Sequence, residues 1–472
     1  MNTTLYILYI VLTFWAIIVI IYYGRRPTKS ISWVFAVITL PFAGPLLYYL
    51  FGVNRRKFKF FSSKQLAKRK KFKELFSKGN SAYITAFDHT GKEGKIAKLI
   101  QNNSGFSPYS ENDIAPLHDG KQTFDTLFHE LGKAEKFIHV QYYLFEQGEI
   151  LQRMLQLFEQ KIKQGVKVRI IYDSFGSYAI RGGIKKKFQK IGASIYPIMP
   201  IRFGNLLFSL NFRNHRKIVV IDGKVAFTGG LNITDKYVKD TGALGQWKDV
   251  HLKLQGPIVQ SLHRVFLKDY SFASQDELDI SEFEIESTPK GSVSAQVVSG
   301  GPDSEQPIIM QQYIAMMNNA QKSVCITNPY FLPGEAFLQS LKIVALQGIA
   351  VTLLLPEESD SKAAMYAMFS QFEELLDVGV HIFLRPDFSH GKVLLIDEDI
   401  VSIGSGNFDN RSFEHNYETN VIIYDKSIAK GIGDEFYRIC RNSRKLDLTH
   451  FKKRPRWKKF MERVFKFFKP LL

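Results

Sequence analysis

Two eight-residue stretches hold the residues whose types and spacing suit chemistry. His215-Arg216-Lys217-Ile218-Val219-Val220-Ile221-Asp222 and His390-Gly391-Lys392-Val393-Leu394-Leu395-Ile396-Asp397 share one pattern: His, any residue, Lys, four apolar residues, Asp. Gly229-Gly230-Leu231-Asn232 follows the first copy and Gly404-Ser405-Gly406-Asn407 the second, so an Asn lies seventeen positions after each His. A His beside an ammonium is a poor metal site, because the Lys charge opposes a cation. It suits an anion: Lys neutralises phosphate oxygens while a neutral imidazole attacks phosphorus. For one copy alone, an ordinary strand with a basic end would be the better reading. Two copies with the same downstream Gly and Asn make coincidence a poor explanation.

The elements that must position these residues are short buried strands, since each apolar run of Ile, Val and Leu is bounded by polar residues. Residues two apart on a strand face one side, so His215 and Lys217 point together, as do His390 and Lys392. Each Asp, an odd number of positions from its His, starts a turn into the next short strand, Lys224 to Thr228 or Ile400 to Ile403.

The chain around the motifs repeats itself. Ala134 to Tyr142 (AEKFIHVQY) matches Ala320 to Asn328 (AQKSVCITN), Gly165 to Tyr172 matches Gly348 to Leu355, and Gly192 to Tyr196 matches Gly379 to Phe383. Amphipathic runs such as Ile150 to Lys163 and Ala363 to Asp377 separate them. This alternation predicts an α/β fold of two similar lobes, each a mixed sheet flanked by helices. The expected boundaries are a first lobe over 111–273, an acidic linker over 274–294 and a second lobe over 295–450. Packing about a pseudo-twofold axis would bring the two motifs face to face.

The paired HxKxxxxD motifs resemble those of the phospholipase D superfamily, over most of the chain from about residue 110 onward. The resemblance implies one active site made by both motifs, with His215, Lys217, Asp222, His390, Lys392 and Asp397 as the catalytic set. It implies that one His attacks phosphorus to form a phosphohistidine while the other protonates the leaving alcohol. His215 is the expected nucleophile and His390 the acid/base, an assignment the residues alone leave open. Asn232, Asn407 and Arg411 are expected to hold the phosphoryl oxygens, though a solvated surface role suits Arg411 equally. Asp249 and Glu418 occupy equivalent places after each motif, where the superfamily carries an acid that orients a His. Asp222 and Asp397 are expected to tie the motif strand to its turn. No metal or other cofactor is expected, because Lys and Asn supply the electrostatics.

The ends of the chain carry a different message. Leu5 to Tyr23 is uncharged and about the ~20 residues that a membrane-spanning helix needs. A second uncharged run, Ile31 to Phe51, contains Pro41, Gly44 and Pro45 and is expected to kink or re-enter. The predicted membrane hairpin therefore covers 1–53, followed by a basic juxtamembrane linker over 54–110. From Arg55 to Lys73 there are ten Lys or Arg and no acid, which favours a cytoplasmic body. His450 to Leu472 holds nine Lys or Arg and one Glu, with Trp457, Phe460, Met461, Val464, Phe468 and Leu471 at helical spacing. This basic tail, 451–472, reads as an interfacial helix, with docking on the protein's own core as the alternative. The two runs carry +10 and +8, which is the whole formal charge of +18. Nucleic acid is a poor fit as a partner, because a nuclease would keep excess charge around its cleft. Only Cys325 and Cys440 occur, so no disulfide framework is implied.

Finer segments resemble the bacterial cardiolipin synthases: Arg213 to Gly223 (RNHRKIVVIDG), Ser299 to Asp303 (SGGPD), Thr327 to Pro333 (TNPYFLP) and the terminal Pro470-Leu471-Leu472. That resemblance implies phosphatidyl transfer between two phosphatidylglycerol molecules, giving cardiolipin and glycerol at an anionic membrane. A phospholipase D hydrolase or a phosphatidylserine synthase would share the mechanism with another acceptor. A nuclease of the superfamily conflicts with the membrane segments, and a non-enzymatic scaffold with the intact His, Lys and Asn pairs.

Overall fold

The computed structural model describes residues 3–23, 27–48, 83–177, 183–200, 212–240, 242, 244–275, 283 and 288–468. The chain divides into two units, Met1–Lys68 and Arg69–Leu472. In the first, an uncharged helix runs over Thr3–Tyr23, and its 21 residues reach the ~30 Å of a bilayer core. A second helix, Pro27–Thr39, has 13 residues and stops at a turn containing Pro41, where Phe42 takes φ 59° before the short helix Ala43–Leu47. Tyr9 Oη donates to Ile38 O at 2.6 Å, and Ala16, Ile20, Val37 and Tyr48 are buried together. Among the described residues only the first helix is long and apolar enough to cross a membrane, with mean hydropathy 2.6. The expected second segment is broken by its proline turn. The basic cluster Arg55 to Lys73 lies outside the described residues.

The second unit is built on strands β1 (Tyr109–Leu117), β2 (Phe137–Tyr142), β3 (Lys167–Asp173), β4 (Ser194–Ile198), β5 (Arg213–Asn214), β6 (Ile218–Ile221), β7 (Val225–Gly229) and β8 (His251–Gln255). The later half supplies β9 (Val293–Gly300), β10 (Ser323–Thr327), β11 (Ala350–Pro356), β12 (His381–Arg385), β13 (Val393–Ile396), β14 (Ile400–Gly404), β15 (Asn416–Tyr424) and β16 (Arg444–Lys445). They form one mixed sheet in the order β16-β12-β11-β10-β13-β14-β15-β9-β1-β8-β7-β6-β2-β3-β4, with β5 added beside β15. The order β4-β3-β2-β6-β7-β8-β1 in the first half repeats as β12-β11-β10-β13-β14-β15-β9 in the second. The two halves join where β1 pairs antiparallel with β9.

The motif strands β6 and β13 lie inside this sheet, covered on both faces, which is why their sequences are unbroken apolar runs. Each fully buried Ile, Val or Leu favours the fold by about 1.5–3 kcal/mol relative to exposure. The helix Ile258–Ser274 covers the first half, and the helix Lys426–Arg441 packs on β12 to β15. Part of the stretch expected as a linker is structured. Helix Lys92–Ser104 buries Ile96 and Ile100 against the second half, and Lys92 Nζ reaches Asp397 at 3.0 Å and Asp399 at 2.6 Å.

The tail also differs from the free interfacial helix. Helix Arg456–Phe468 packs on helix Lys362–Phe369, stacking Phe465 on Tyr366 at a centroid distance of 5.7 Å. Glu462 is buried and paired with Arg454, which also holds Glu373. One edge of the helix is therefore docked on the body, while Trp457 and Phe460 on another edge stay exposed. Leu471 and the side chain of Phe468 lie outside the described residues.

Candidate active site

Each motif His begins where its strand meets the other half of the sheet. β5, just before the first motif strand, pairs with β15, and His215 N donates to Tyr417 O at 2.9 Å. In the mirrored contact, His390 N donates to Lys248 O at 2.7 Å. Tyr417 and Lys248 each precede a carboxylate in sequence, so both backbone bonds set a His opposite an acid from the other half. His215 Nδ1 lies 3.0 Å from Glu418 Oε2 and 3.1 Å from Ser405 O. His390 Nδ1 lies 2.9 Å from Asp249 Oδ2 and 3.1 Å from the Tyr237 hydroxyl. A proton on Nδ1 that serves the acid leaves Nε2 bare, the tautomer that a nucleophile or base requires.

The entry to the first motif is braced by buried charge pairs. Asp173 accepts from Asn214 N at 2.9 Å and pairs with Arg213 at 3.1 Å. Arg216, the variable residue of the motif, pairs with Asp269 at 2.6 Å and donates to Ser299 Oγ at 2.8 Å and Gly300 O at 3.1 Å. Arg216 thus fastens the first motif to the second half, and breaking either pair would strand a buried charge.

The two acids are held differently. Glu418 Oε1 accepts from Ser412 Oγ at 2.8 Å and its Oε2 from Ser405 Oγ at 2.6 Å. Burial opposes its charge, yet His215, Lys217 and Ser405 together hold its pKa below the usual carboxylate range. At the place of Ser405 the first half has Gly230, where a Cβ would sit 2.2 Å from Asp249 Oδ1. Asp249 is shorter than Glu418, lies against that glycine, and takes a hydrogen bond from Tyr237. Burial pushes its pKa up to about 7, with Lys392 pulling the other way. Burial also lowers both imidazoles, His215 to about 4 and His390 well below its usual value, so both are neutral at rest.

The lysines complete the arrangement. Lys217 is fully buried; its Nζ donates to His215 O at 2.8 Å and lies 5.7 Å from the Tyr143 ring centre. Among the described residues no carboxylate pairs with it, and burial drives its pKa well down. Lys392 is also buried, donates to His390 O, and is lowered by burial to about 8. Among the described residues neither lysine has a salt-bridge partner, and two desolvated amines of this kind favour an incoming anion, which would restore their charge. Asn232 and Asn407 are buried with side-chain oxygens that lack a partner, and Arg411 is half-buried at the start of helix Asn410–Glu414.

The site thus brings together His215, Lys217, His390, Lys392, Asp249 and Glu418, with Asn232 and Asn407 beside them. Asp222 and Asp397, counted above with the catalytic set, stand apart from it. Asp222 accepts from the backbone N–H groups of Glu135, Lys136 and Phe137, and Asp397 from those of Gln321, Lys322 and Ser323. Both take φ 53° in a left-handed turn and pin the far end of the motif strand. Tyr237, Ser405 and Ser412 were not singled out by sequence. The available signal was that Tyr237 and Ser412 each follow their motif Asn by five positions. The arrangement can attack a phosphodiester from one neutral imidazole and move a proton through the other. Among the described residues there is no cluster of His, Cys, Asp and Glu that would hold a metal ion.

Residues 127–269 and 313–440 match the family described as cardiolipin synthase, PLD-like domain, and residues 11–52 match the phospholipase D-nuclease N-terminal family. A cardiolipin synthase of Geobacillus sp. (strain WCH70) is 34% identical over 456 residues, 95% of this chain and 90% of that protein. One from Clostridium perfringens (strain SM101 / Type A) is 35% identical over 456 residues, 95% of each chain. The crystal structure of phosphatidylserine synthase from Haemophilus influenzae Rd KW20 matches with TM-score 0.62 at 16% identity, covering 80% of this chain and 100% of that one. At that identity the likeness is one of fold.

Proposed function

Because the chain belongs to the cardiolipin synthase family of the phospholipase D superfamily, and is a phospholipid phosphatidyltransferase, we propose that it joins two phosphatidylglycerol molecules into cardiolipin and glycerol. His390 takes up a proton at Nε2 as the anionic phosphodiester binds beside it. His215 Nε2 attacks the phosphorus of the first lipid, and His390 gives that proton to the departing glycerol oxygen and returns to neutral. The product is a phosphatidyl-histidine and free glycerol. A glycerol hydroxyl of the second lipid then gives its proton to His390 and displaces His215, so protons and phosphoryl group balance over the cycle. Lys217, Lys392, Asn232 and Asn407, with Arg411 at the margin, hold the phosphoryl oxygens as charge builds. Asp249 and Glu418 orient the imidazoles. The observation that carries this reading is the pair of buried lysines beside two acid-oriented imidazoles.

We further propose two lobes related by a pseudo-twofold axis, with boundaries near 111–273 and 295–450, a reading that the repeated strand order supports. The N-terminal region 1–53 is proposed as a two-segment membrane hairpin that leaves the body cytoplasmic. Helix Thr3–Tyr23 supports the first segment.

The test is to supply the purified protein with detergent-dispersed phosphatidylglycerol as sole lipid and quantify products. Cardiolipin and glycerol in equal amounts is the expected result. Phosphatidic acid with glycerol would make water the acceptor, and no reaction until serine and an activated lipid are added would make it a serine transferase. Either outcome would overturn the proposal.

A further inference from the structure

The tail helix Arg456–Phe468 has two edges with different fates. Phe465 and Glu462 face helix Lys362–Phe369 and the Arg454 pairs, which locks the helix to the body. Trp457 and Phe460, one turn apart, remain 57% and 65% exposed, with partly buried Val464 continuing their edge. Exposed Arg456, Lys458 and Arg463 flank that edge. A helix already docked through one edge gains nothing for its fold by holding two large aromatics in water. Aromatics framed by Lys and Arg match the boundary between acyl chains and anionic phosphates. Glu374 links Lys466 of this helix, at 3.9 Å, and Lys342, at 3.3 Å, of helix Glu335–Leu346, whose Ile343 and Leu346 are also exposed.

The helix that it grips leads to the catalytic centre. Helix Lys362–Phe369 is capped by Ser361, next to Asp360, whose carboxylate accepts from Tyr330 Oη at 2.5 Å. The Tyr330 ring lies 6.4 Å from the ring of Phe388, which in turn lies 6.4 Å from the imidazole of His390. The aromatic edge and the second motif are therefore joined through one short helix.

We propose that helix Arg456–Phe468 is a docking surface for an anionic phospholipid bilayer, rigidly tied to the second-motif side of the site so that this side is held against the lipid. The proposal rests on the lipid substrate argued above. Trp457 and Phe460 insert among the headgroups while the basic residues meet lipid phosphates. The occupant is a bilayer rather than a second protein, because the exposed charges beside Trp457 and Phe460 on the helix, Arg456, Lys458 and Arg463, are all basic and the substrate is an anionic lipid.

The test uses the full chain reconstituted in vesicles of phosphatidylglycerol and phosphatidylcholine carrying brominated acyl chains. Subtracting the emission of a Trp457→Phe variant isolates the signal of Trp457. Quenching of that signal, weaker in pure phosphatidylcholine, is expected. Trp457→Ser with Phe460→Ser should slow cardiolipin formation on vesicles by about tenfold or more, by loss of insertion energy. The same variant should stay within about twofold of wild type on detergent-dispersed phosphatidylglycerol. An unquenched Trp457, or equal loss in vesicles and detergent, would overturn the proposal. So would a change in oligomeric mass of the variant by light scattering in detergent, which would make the edge a protein interface. If the wild type makes no cardiolipin in detergent, the proposed function has failed instead, and the quenching result still stands by itself.

Discussion

Glu418 Oε2 lies 3.0 Å from His215 Nδ1 although the two residues are 203 positions apart and sit in opposite halves of the sheet. The exchange is reciprocal, since Asp249 of the first half serves His390 of the second. Neither half is then complete without the other. Glu418→Gln keeps the shape and removes the charge that orients and stabilises the imidazole. Turnover should fall by about 100- to 10,000-fold with little change in KM. Steady-state rates on detergent-dispersed lipid, with a melting curve to confirm folding, check this; a loss under tenfold would remove Glu418 from the mechanism.

The Tyr237 hydroxyl lies 3.1 Å from His390 Nδ1, where His215 Nδ1 instead meets the carbonyl of Ser405. The Tyr237 hydroxyl bonds to Asp249 and so favours the carboxylate. Tyr237→Phe should slow turnover by about tenfold and move the acid limb of the pH profile upward, because Asp249 would take a proton more readily. A slower enzyme with an unmoved acid limb would mean that the phenol only fills space.

Two groups are expected to set the pH dependence of kcat/KM. Asp249, raised by burial to about 7, loses its charge as pH falls through that value and no longer accepts the Nδ1 proton of His390. Lys392, lowered by burial to about 8, loses its charge as pH rises and no longer draws in the phosphodiester. The profile should be a narrow bell between these limbs. Bound phosphate favours the ammonium, so the alkaline limb of kcat should lie higher than that of kcat/KM. A flat kcat/KM from about pH 6 to about pH 9 would contradict the assignment.

Asp222 accepts three backbone hydrogen bonds where strand β2 begins. Asp222→Ala should cost about 1–3 kcal/mol and lower the melting temperature by a few degrees. The folded fraction should keep most of its specific activity. Unchanged melting with lost activity would instead move Asp222 into the chemistry.

Sequence showed what repeats locally and hid what depends on contact across the halves. The motif strands were legible because Ile218–Ile221 and Val393–Ile396 are buried on both faces and must be apolar. The acids could be located at equivalent places, but not paired, since no periodicity links Glu418 to a His 203 residues away. Tyr237 carries only the weak signal of its spacing from Asn232, because only the fold brings its hydroxyl to His390. Helix Lys92–Ser104 was missed in a polar stretch, because its apolar signal is mainly Ile96, Ala97 and Ile100. The tail read as free because Phe465, which docks it, sits just off the stripe that spacing picked out.

The proposed cycle runs through a phosphatidyl-histidine made by one residue and released with help from the other. Rapid acid-free quenching of wild type during turnover of phosphatidylglycerol, followed by proteolysis and mass spectrometry, tests it most directly. A phosphatidyl adduct is expected on the peptide containing His215, absent from His215→Ala and removed when fresh phosphatidylglycerol is added. An adduct on His390, or steady turnover by His215→Ala, would contradict it.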